Sequence, residues 1–516
     1  MKIVKESGFK WKNLHETYEQ QIAGLWHLAN ETTGQPIDNY KDTTKGIQQL
    51  IADAIKNNTP LRALGGNWSL SSITATSGII LNTKLLNSIF GMSTKNVHAD
   101  YKGDVGNLFL CQCGRSVWEI SEFLHKNGRS LPASGASNGQ TITGAIATGT
   151  HGAGISFGAH QEAVVGLHII TGPQSSIWLE RKSAPVMADS FAALLNATPV
   201  RDDDAFNAAV VSFGAFGFIH GVMVQAEPDY LLESYLRRVP LDADFKKQVT
   251  ALDFNYSKLP YPGEVPFHFG TLINPYDLNN GVYMTVMYKR PYRTGYTPPK
   301  PNGEGIGPGD DAPCFMGKLS DVLPAAVPLL ANTVIGKSLT PFEKKEGTLA
   351  EIFSNTTLRG KVASAAIGFS PEHAATVMDM LLRINGSAGP FVGVFAFRFV
   401  KASKATMAFT RFAPVTCVLE LDGVQSKGTL KFYDAVWAEM DKLGIPYTFH
   451  WGKMNTLTAA KIKTMYGASL DSFLTQRAKY VDAATLRIFN NDTLNQWGIV
   501  TPLAPLPTVP PEAMIV

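Results

Sequence analysis

An excess of charge of either sign is what this sequence most clearly lacks: 46 Lys and Arg stand against 43 Asp and Glu over 516 residues. That balance gives no sign of a nucleic-acid or anionic-membrane partner, and a small or weakly charged one fits better. Cysteine is scarce as well. The four, at 111, 113, 314 and 417, match no common disulfide or zinc half-site, so reduced thiols are expected. No His, Cys or acidic spacing suggests a bound metal. No uncharged apolar run is long enough to span a membrane, and the opening MKIVKESGFKWKNLHETYEQQ has no apolar leader core, so a cytoplasmic protein is the expectation. Also missing are the strand, GxGxxG, helix order of a Rossmann fingerprint and any Gly-Lys-Ser or Gly-Lys-Thr of a P-loop.

What is present is ordinary globular composition, 45% apolar and 17% charged, in a chain long enough for two domains. Its most unusual stretch is Leu131 to Gly154, LPASGASNGQTITGAIATGTHGAG. Gly135, Gly139, Gly144, Gly149, Gly152 and Gly154 are interleaved there with Ser and Thr. Such a run makes a poor core and a good cradle, because glycine lets the backbone approach a ligand and turn its N–H groups onto an anion such as a pyrophosphate.

Taken in order, residues 43–58 carry Ile47, Leu50, Ile51, Ala54 and Ile55 at helical spacing. A strand at 60–64 then runs into a tight turn, Gly65-Gly66-Asn67-Trp68-Ser69, and extended structure resumes at 78–81. Leu108 to Cys113 reads as a strand, and Ser116-Val117-Trp118-Glu119 as a capping box opening a helix that Gly128 stops. Paired strands at 163–170 and 176–179, a short helix at 204–211 and a strand from Phe218 complete a first half. Beyond residue 231 come strands at 267–273, 281–288, 391–400 and 416–421, helices at 373–385 and 429–443, and a Pro/Gly-rich surface loop at 291–313. The tail from Thr501, rich in proline, is expected to be extended. No internal repeat interrupts the order.

The sequence of motifs GGNWS (65–69), SGASNGQTITGAIATGTHGAG, FGAFGFIHGVMV, FAFRFVK (395–401), HWGK (450–453) and a late Asp482 with Phe489-Asn490-Asn491 resembles the vanillyl-alcohol-oxidase class of flavoproteins. Within that class it is similar to the sugar-lactone and alditol oxidase branch, which carries an HWxK motif near its C-terminus. The resemblance implies an α+β fold: a two-subdomain FAD-binding domain of the PCMH type (1–230), a cap domain with a large antiparallel sheet (231–440), and a C-terminal segment (441–516) returning to the flavin. It implies that Gly65, Gly66, Asn67, Trp68, Ser69, Ser134, Gly135, Ala136, Gly139, Thr143, Gly144, Thr148, Gly149, His151, Gly152 and Gly154 cradle FAD, with Gly217 and Ile219 along the adenosine and His450 and Lys453 at the pyrimidine edge.

The chain departs from the branch in three places. Trp68 stands where many members have a histidine bonded to the flavin, and Gly135-Ala136-Ser137-Asn138 holds no cysteine for a second bond, so FAD is expected to be non-covalent. The Glu-x-Arg pair that grips sugar substrates reads Ala396-Phe397-Arg398, and the 291–313 loop is longer than a minimal cap needs. The expected chemistry is oxidation of a CH–OH group by hydride transfer to FAD, with dioxygen reduced to hydrogen peroxide. The alternatives are a dehydrogenase using a quinone or cytochrome, and a non-catalytic flavin binder.

Among site residues, Lys453 is the cation expected to stabilise reduced flavin, with His450 orienting it or bonding the cofactor. Arg398 either binds a substrate oxygen or pairs with a structural acid. Glu420 and Asp422, on one face of their strand, are candidates for the missing carboxylate and the base, Glu420 preferred. His151 is expected beside the cofactor rather than as a base, and His220 as a structural histidine. Gly135 is expected at the reactive face, and Phe395, Phe397 and Phe399 near a pocket for a less polar alcohol.

Overall fold

The computed structural model describes residues 1–32, 34–299, 312–353 and 361–499. Most of the proline-rich loop at 291–313 and the tail from Thr501 lie outside them. Two sheets build the first half. One orders its strands Lys2–Ser7, Gly24–Ala29, Ile79–Leu85 and Leu61–Leu64, and the other runs Thr198–Arg201, Ser175–Glu180, Val164–Gly172, Phe218–Gln225, Leu108–Gln112 and Ile89–Gly91.

Between these sheets lies the helix Pro36–Lys56, which buries Ile47, Leu50, Ile51 and Ala54. It begins seven residues earlier than the apolar spacing predicts, because its first turns are held by polar contacts. The Tyr40 hydroxyl meets His168 Nδ1 at 2.9 Å, and the hydroxyls of Thr43 and Thr44 meet the two ring nitrogens of His220 at 2.9 and 3.1 Å. The predicted capping box is present, with Ser116 and Glu119 exchanging hydrogen bonds at the start of Val117–Lys126. Inside the glycine-rich run lies a helix the sequence reading did not anticipate, Ile142–Thr148. It is capped by the Thr141 side chain and ended by Gly149 at φ 77°.

The second half is one antiparallel sheet of eight strands, ordered Phe342–Gly347, Tyr230–Val239, Val282–Pro291, His268–Ile273, Gly393–Lys401, Val415–Val424, Val362–Phe369 and Tyr447–Phe449. Alternation gives it two unlike faces. Phe395, Phe397, Phe399, Leu419, Leu421, Ile367 and Phe369 are fully buried on one. The Phe395 ring there stacks on Phe432 of the helix Lys427–Leu443, 5.6 Å between centroids. The opposite face carries Ala396, Arg398, Glu420, Asp422, Ser364 and Ala366 and looks toward the first half.

After the edge strand Tyr447–Phe449, four helices between Ala459 and Gln496 carry the chain back onto the first half. One buried guanidinium ties this return. Arg62 donates to the carbonyls of Ile73 (2.7 Å), Phe213 (2.6 Å), Gly214 (3.1 Å) and Phe489 (2.7 Å), so one side chain joins three distant segments. Burial lowers its pKa to about 10, which leaves it charged at neutral pH. Arg62→Met would strand four carbonyls. The expected loss is roughly 3 kcal/mol or more in urea denaturation, with weakened cofactor retention; an unchanged midpoint would disprove the tie.

Candidate active site

Between the two halves lies a cavity of about 1030 Å³. One wall is the turn Gly65–Ser69 with Ala136, Thr143, Gly144, Thr148, Gly217 and Ile219; the other is the polar face of the eight-stranded sheet with His151, His450 and Lys453. The turn is glycine for a steric reason. A Cβ on Gly65 would collide with the Thr141 hydroxyl, and one on Gly66 would sit 3.0 Å from both the Gln140 Cα and the Gly139 carbonyl. Asn67 follows in the left-handed region at φ 62°.

Six residues expected to cradle the cofactor do not line the cavity; they hold its wall from behind. Ser134 bonds Asn138, the Gly135 N–H donates to His160 Nε2 (3.0 Å), and Gly149 ends a helix. Gly139 backs onto Gly66, and Gly152 lies against the Ser134 carbonyl. Gly154 accepts from the Lys401 N–H at 3.0 Å, which joins the glycine-rich run to the sheet. At Gly135, expected at the reactive face, an added Cβ would lie 3.4 to 3.5 Å from His160 Nε2 and the Ser137 and His151 carbonyls. Phe395, Phe397 and Phe399 likewise face away from the cavity, because alternation sends them to the helix-covered side.

Strand register restores the carboxylate that the sequence seemed to have lost. Ala396 pairs directly with Glu420, which pairs on its other side with Ala366. Glu420 Oε2 lies 2.7 Å from Arg398 Nε. The acid and arginine thus meet across the ladder rather than along one strand. Glu420 is only 5% exposed, and Oε2 has no aligned hydrogen bond, so a buried acceptor faces the cavity. Burial pushes this carboxyl up, but Arg398, Lys453 and His151 outweigh it and hold it well below the usual carboxylate range. One row along the sheet, Asp422 pairs with Ser364. Lys453 Nζ donates to the Ser364 hydroxyl, which donates to Asp422, and Lys453 lies 3.7 Å from Asp422.

Two buried histidines are fixed in opposite tautomers by the backbone. His151 Nδ1 lies 2.9 Å from the Gly152 carbonyl, which can only accept, so Nδ1 carries the proton and Nε2 keeps its lone pair. That Nε2 lies 3.7 Å from Glu420 Oε1. His450 Nδ1 accepts the Gly452 N–H at 3.0 Å, so its neutral ring carries the proton on Nε2. Burial lowers both pKa values, that of His151 to about 4 despite Glu420 beside it. The turn that holds His450 and Lys453 is clamped to the opposite wall: the Leu70 N–H donates to the Gly452 carbonyl at 2.8 Å and the Ser71 hydroxyl to the Trp451 carbonyl at 2.7 Å.

Arg62 and Ser364 also line the cavity and were not anticipated, and Gln140 and Thr141 join it from within the glycine-rich run. For Arg62 the signal was there, a charge within a short apolar strand whose Leu61 and Leu64 are buried. The Arg62 Nε, Thr143 Oγ1 and Gln140 Oε1 atoms are buried without a protein partner. A cationic donor, a hydroxyl, an amide oxygen and a glycine-lined turn suit a cofactor that carries both phosphate and hydrogen-bonding groups. Among the described residues no cluster could hold a metal ion, and no helix is long and apolar enough to cross a membrane.

These features suit FAD as the cofactor, and residues 40–178 match the family model of an FAD binding domain. The similar curated proteins are sugar-lactone enzymes. A putative D-arabinono-1,4-lactone oxidase of Neurospora crassa is 27% identical over 43% of this chain and 34% of its own length. An L-gulonolactone oxidase of Mus musculus is 24% identical over 43% of each chain, and an L-gulono-1,4-lactone dehydrogenase of Mycobacterium tuberculosis is 24% identical over 42% of this chain and 44% of its own. The chain thus spans about a third to under a half of the relatives it matches. A solved cholesterol oxidase from Brevibacterium sterolicum shares the fold, with TM-score 0.69 and 15% identity over 96% of this chain and 97% of that one.

The site dictates an acid response. His151 and His160, lowered from 6.5 to about 4, and His450, lowered well below its usual value, stay neutral in the fold while the unfolded chain protonates near 6.5. Their stabilisation is complete above that pH and drains as pH falls toward 4; Glu420, depressed from 4.5, adds a loss of the same sign below its unfolded value. Urea midpoints should fall steadily from pH 7 to pH 4, and a flat profile would contradict these protonation states.

Proposed function

We propose that the chain is an FAD-dependent oxidoreductase that oxidises a CH–OH group of an alcohol, polyol or lactone. The supporting observation is the convergence of Arg398, Glu420, Lys453 and the lone pair of His151 Nε2 on one wall of the cavity, opposite a wall suited to FAD. Bound FAD supplies the hydride acceptor. His151 accepts the substrate hydroxyl proton at Nε2, and the Glu420 carboxylate faces the imidazolium that forms. Arg398 holds the substrate oxygen and keeps Glu420 ionised. Glu420, tied to that guanidinium, is a poor base, so its role is to orient and to neutralise. Lys453, steadied by Ser364 and Asp422, brings positive charge to where reduction leaves negative charge, and His450 donates from Nε2.

Dioxygen, yielding hydrogen peroxide, is the acceptor we propose first, in keeping with the relatives named oxidases. A dehydrogenase is the second reading, favoured by Gly135 being packed against His160 away from the cavity and by the mycobacterial relative named a dehydrogenase. FAD is held non-covalently: Trp68 lines the cavity where a linking histidine would stand, and burial pushes the Cys113 thiol up to about 12. We propose a cytoplasmic location on the strength of the buried, unpaired thiols of Cys111, Cys113 and Cys417.

In anaerobic stopped flow, His151→Gln should retain FAD and slow flavin reduction by roughly 10²- to 10⁴-fold. Lys453→Met should slow it comparably with the flavin still bound; unaltered reduction in either variant would remove that residue from the mechanism. Acid precipitation should leave all flavin in the supernatant, whereas yellow colour in the pellet would reveal a covalent bond.

A further inference from the structure

The polar face of the sheet changes character next to Arg398 and Glu420. Along one row, Leu272 pairs with Ala396, Ala396 with Glu420, and Glu420 with Ala366; on the next, Val394 pairs with Asp422 and Asp422 with Ser364. The acid is thus flanked by two methyl groups, and one strand further out the wall is aliphatic. The helix Val327–Ser338 roofs this end, packing Ala331 and Ile335 over Leu272 and Val394. Leu339, Val392 and Val424 complete the lining.

Among the described residues, few polar groups line this end, and those that do contact one another. Lys453, Ser364 and Asp422 bond one another, and the Thr333 hydroxyl donates to the Leu329 carbonyl of its own helix at 2.8 Å. Beside this wall Glu420 Oε2, ion-paired to Arg398 without an aligned hydrogen bond, and the lone pair of His151 Nε2 are placed to orient a hydroxyl. A polyol or sugar lactone carries a hydroxyl on almost every carbon, and each one buried against this wall without a partner weakens binding roughly ten- to a hundredfold.

We infer that the substrate is a monohydric alcohol with an aliphatic or alicyclic body, its hydroxyl at Arg398, Glu420 and His151 and its hydrocarbon under the helix Val327–Ser338. The inference rests on the CH–OH oxidoreductase reading above and narrows it. Ala396 belongs to the same logic: paired directly with Glu420, it adds a methyl group and no further polar group to this wall.

The test is anaerobic mixing of the FAD-loaded protein with straight-chain and alicyclic alcohols of increasing size, and with polyols and aldonolactones of matched carbon number. Affinity should rise about three- to fourfold per added methylene until the cavity is full, as burial of about 0.8 kcal/mol per CH₂ requires. Polyols and lactones should reduce the flavin at least a hundredfold less efficiently. Equilibrium dialysis of the corresponding ketones should show the same rise in affinity with size, independently of turnover, and Leu272→Asn or Val394→Asn should flatten it about tenfold. Efficient bleaching by lactones with a flat alcohol series overturns the inference and leaves the oxidoreductase reading standing. No bleaching by any member, with the flavin still photoreducible, overturns both.

Discussion

A carboxylate as deeply buried as Glu420 survives only if positive charge surrounds it, and the architecture of the second half follows from that requirement. Arg398 must come from the neighbouring strand and Lys453 from the turn after the edge strand, while the neutral His151 is brought beside them from the glycine-rich run of the other half. Each is held by something else: Arg398 by strand register, Lys453 by Ser364 and Asp422, His151 by the Gly152 carbonyl. A slip of one residue in the ladder would exchange the phenylalanine face for this charged one, so the packing of Phe395 on Phe432 protects the site as much as the core.

Much of the organisation was legible in the sequence because it rests on local chemistry. The capping box at Ser116, the glycine turn at 65–66, and the alternating strands at 393–401 and 415–424 are written in adjacent residues. What escaped depends on pairing across distance. Arg62 gains its meaning from four carbonyls in segments the linear order keeps apart. The early start of Pro36–Lys56 was hidden because hydroxyl contacts to His168 and His220, not apolar spacing, order its first turns. The helix Ile142–Thr148 was masked by glycines whose cradle-like composition outweighed a short cap at Thr141. Strand alternation puts Phe395, Phe397 and Phe399 on the face opposite Arg398, but which of the two faces meets the cavity is not written in that spacing.

The histidines make the same point at atomic scale. In sequence His151 and His450 are equivalent titratable rings, and burial depresses both. Their opposite chemical character comes from the backbone atom each ring meets, a carbonyl in one case and an N–H in the other. No pattern of residue types encodes that difference, since any residue could supply either backbone group.

The pairing of Ala396 with Glu420 also changes what counts as a motif in this fold. A linear scan for an acid two residues before the arginine scores the chain as having lost a binding group. Read along the hydrogen-bonded row instead of along the chain, the acid is still next to its arginine, on the adjoining strand. Sheet geometry thus lets an acid and an arginine meet across strands as readily as along one, so a search for such a pair is better made in two dimensions than in one.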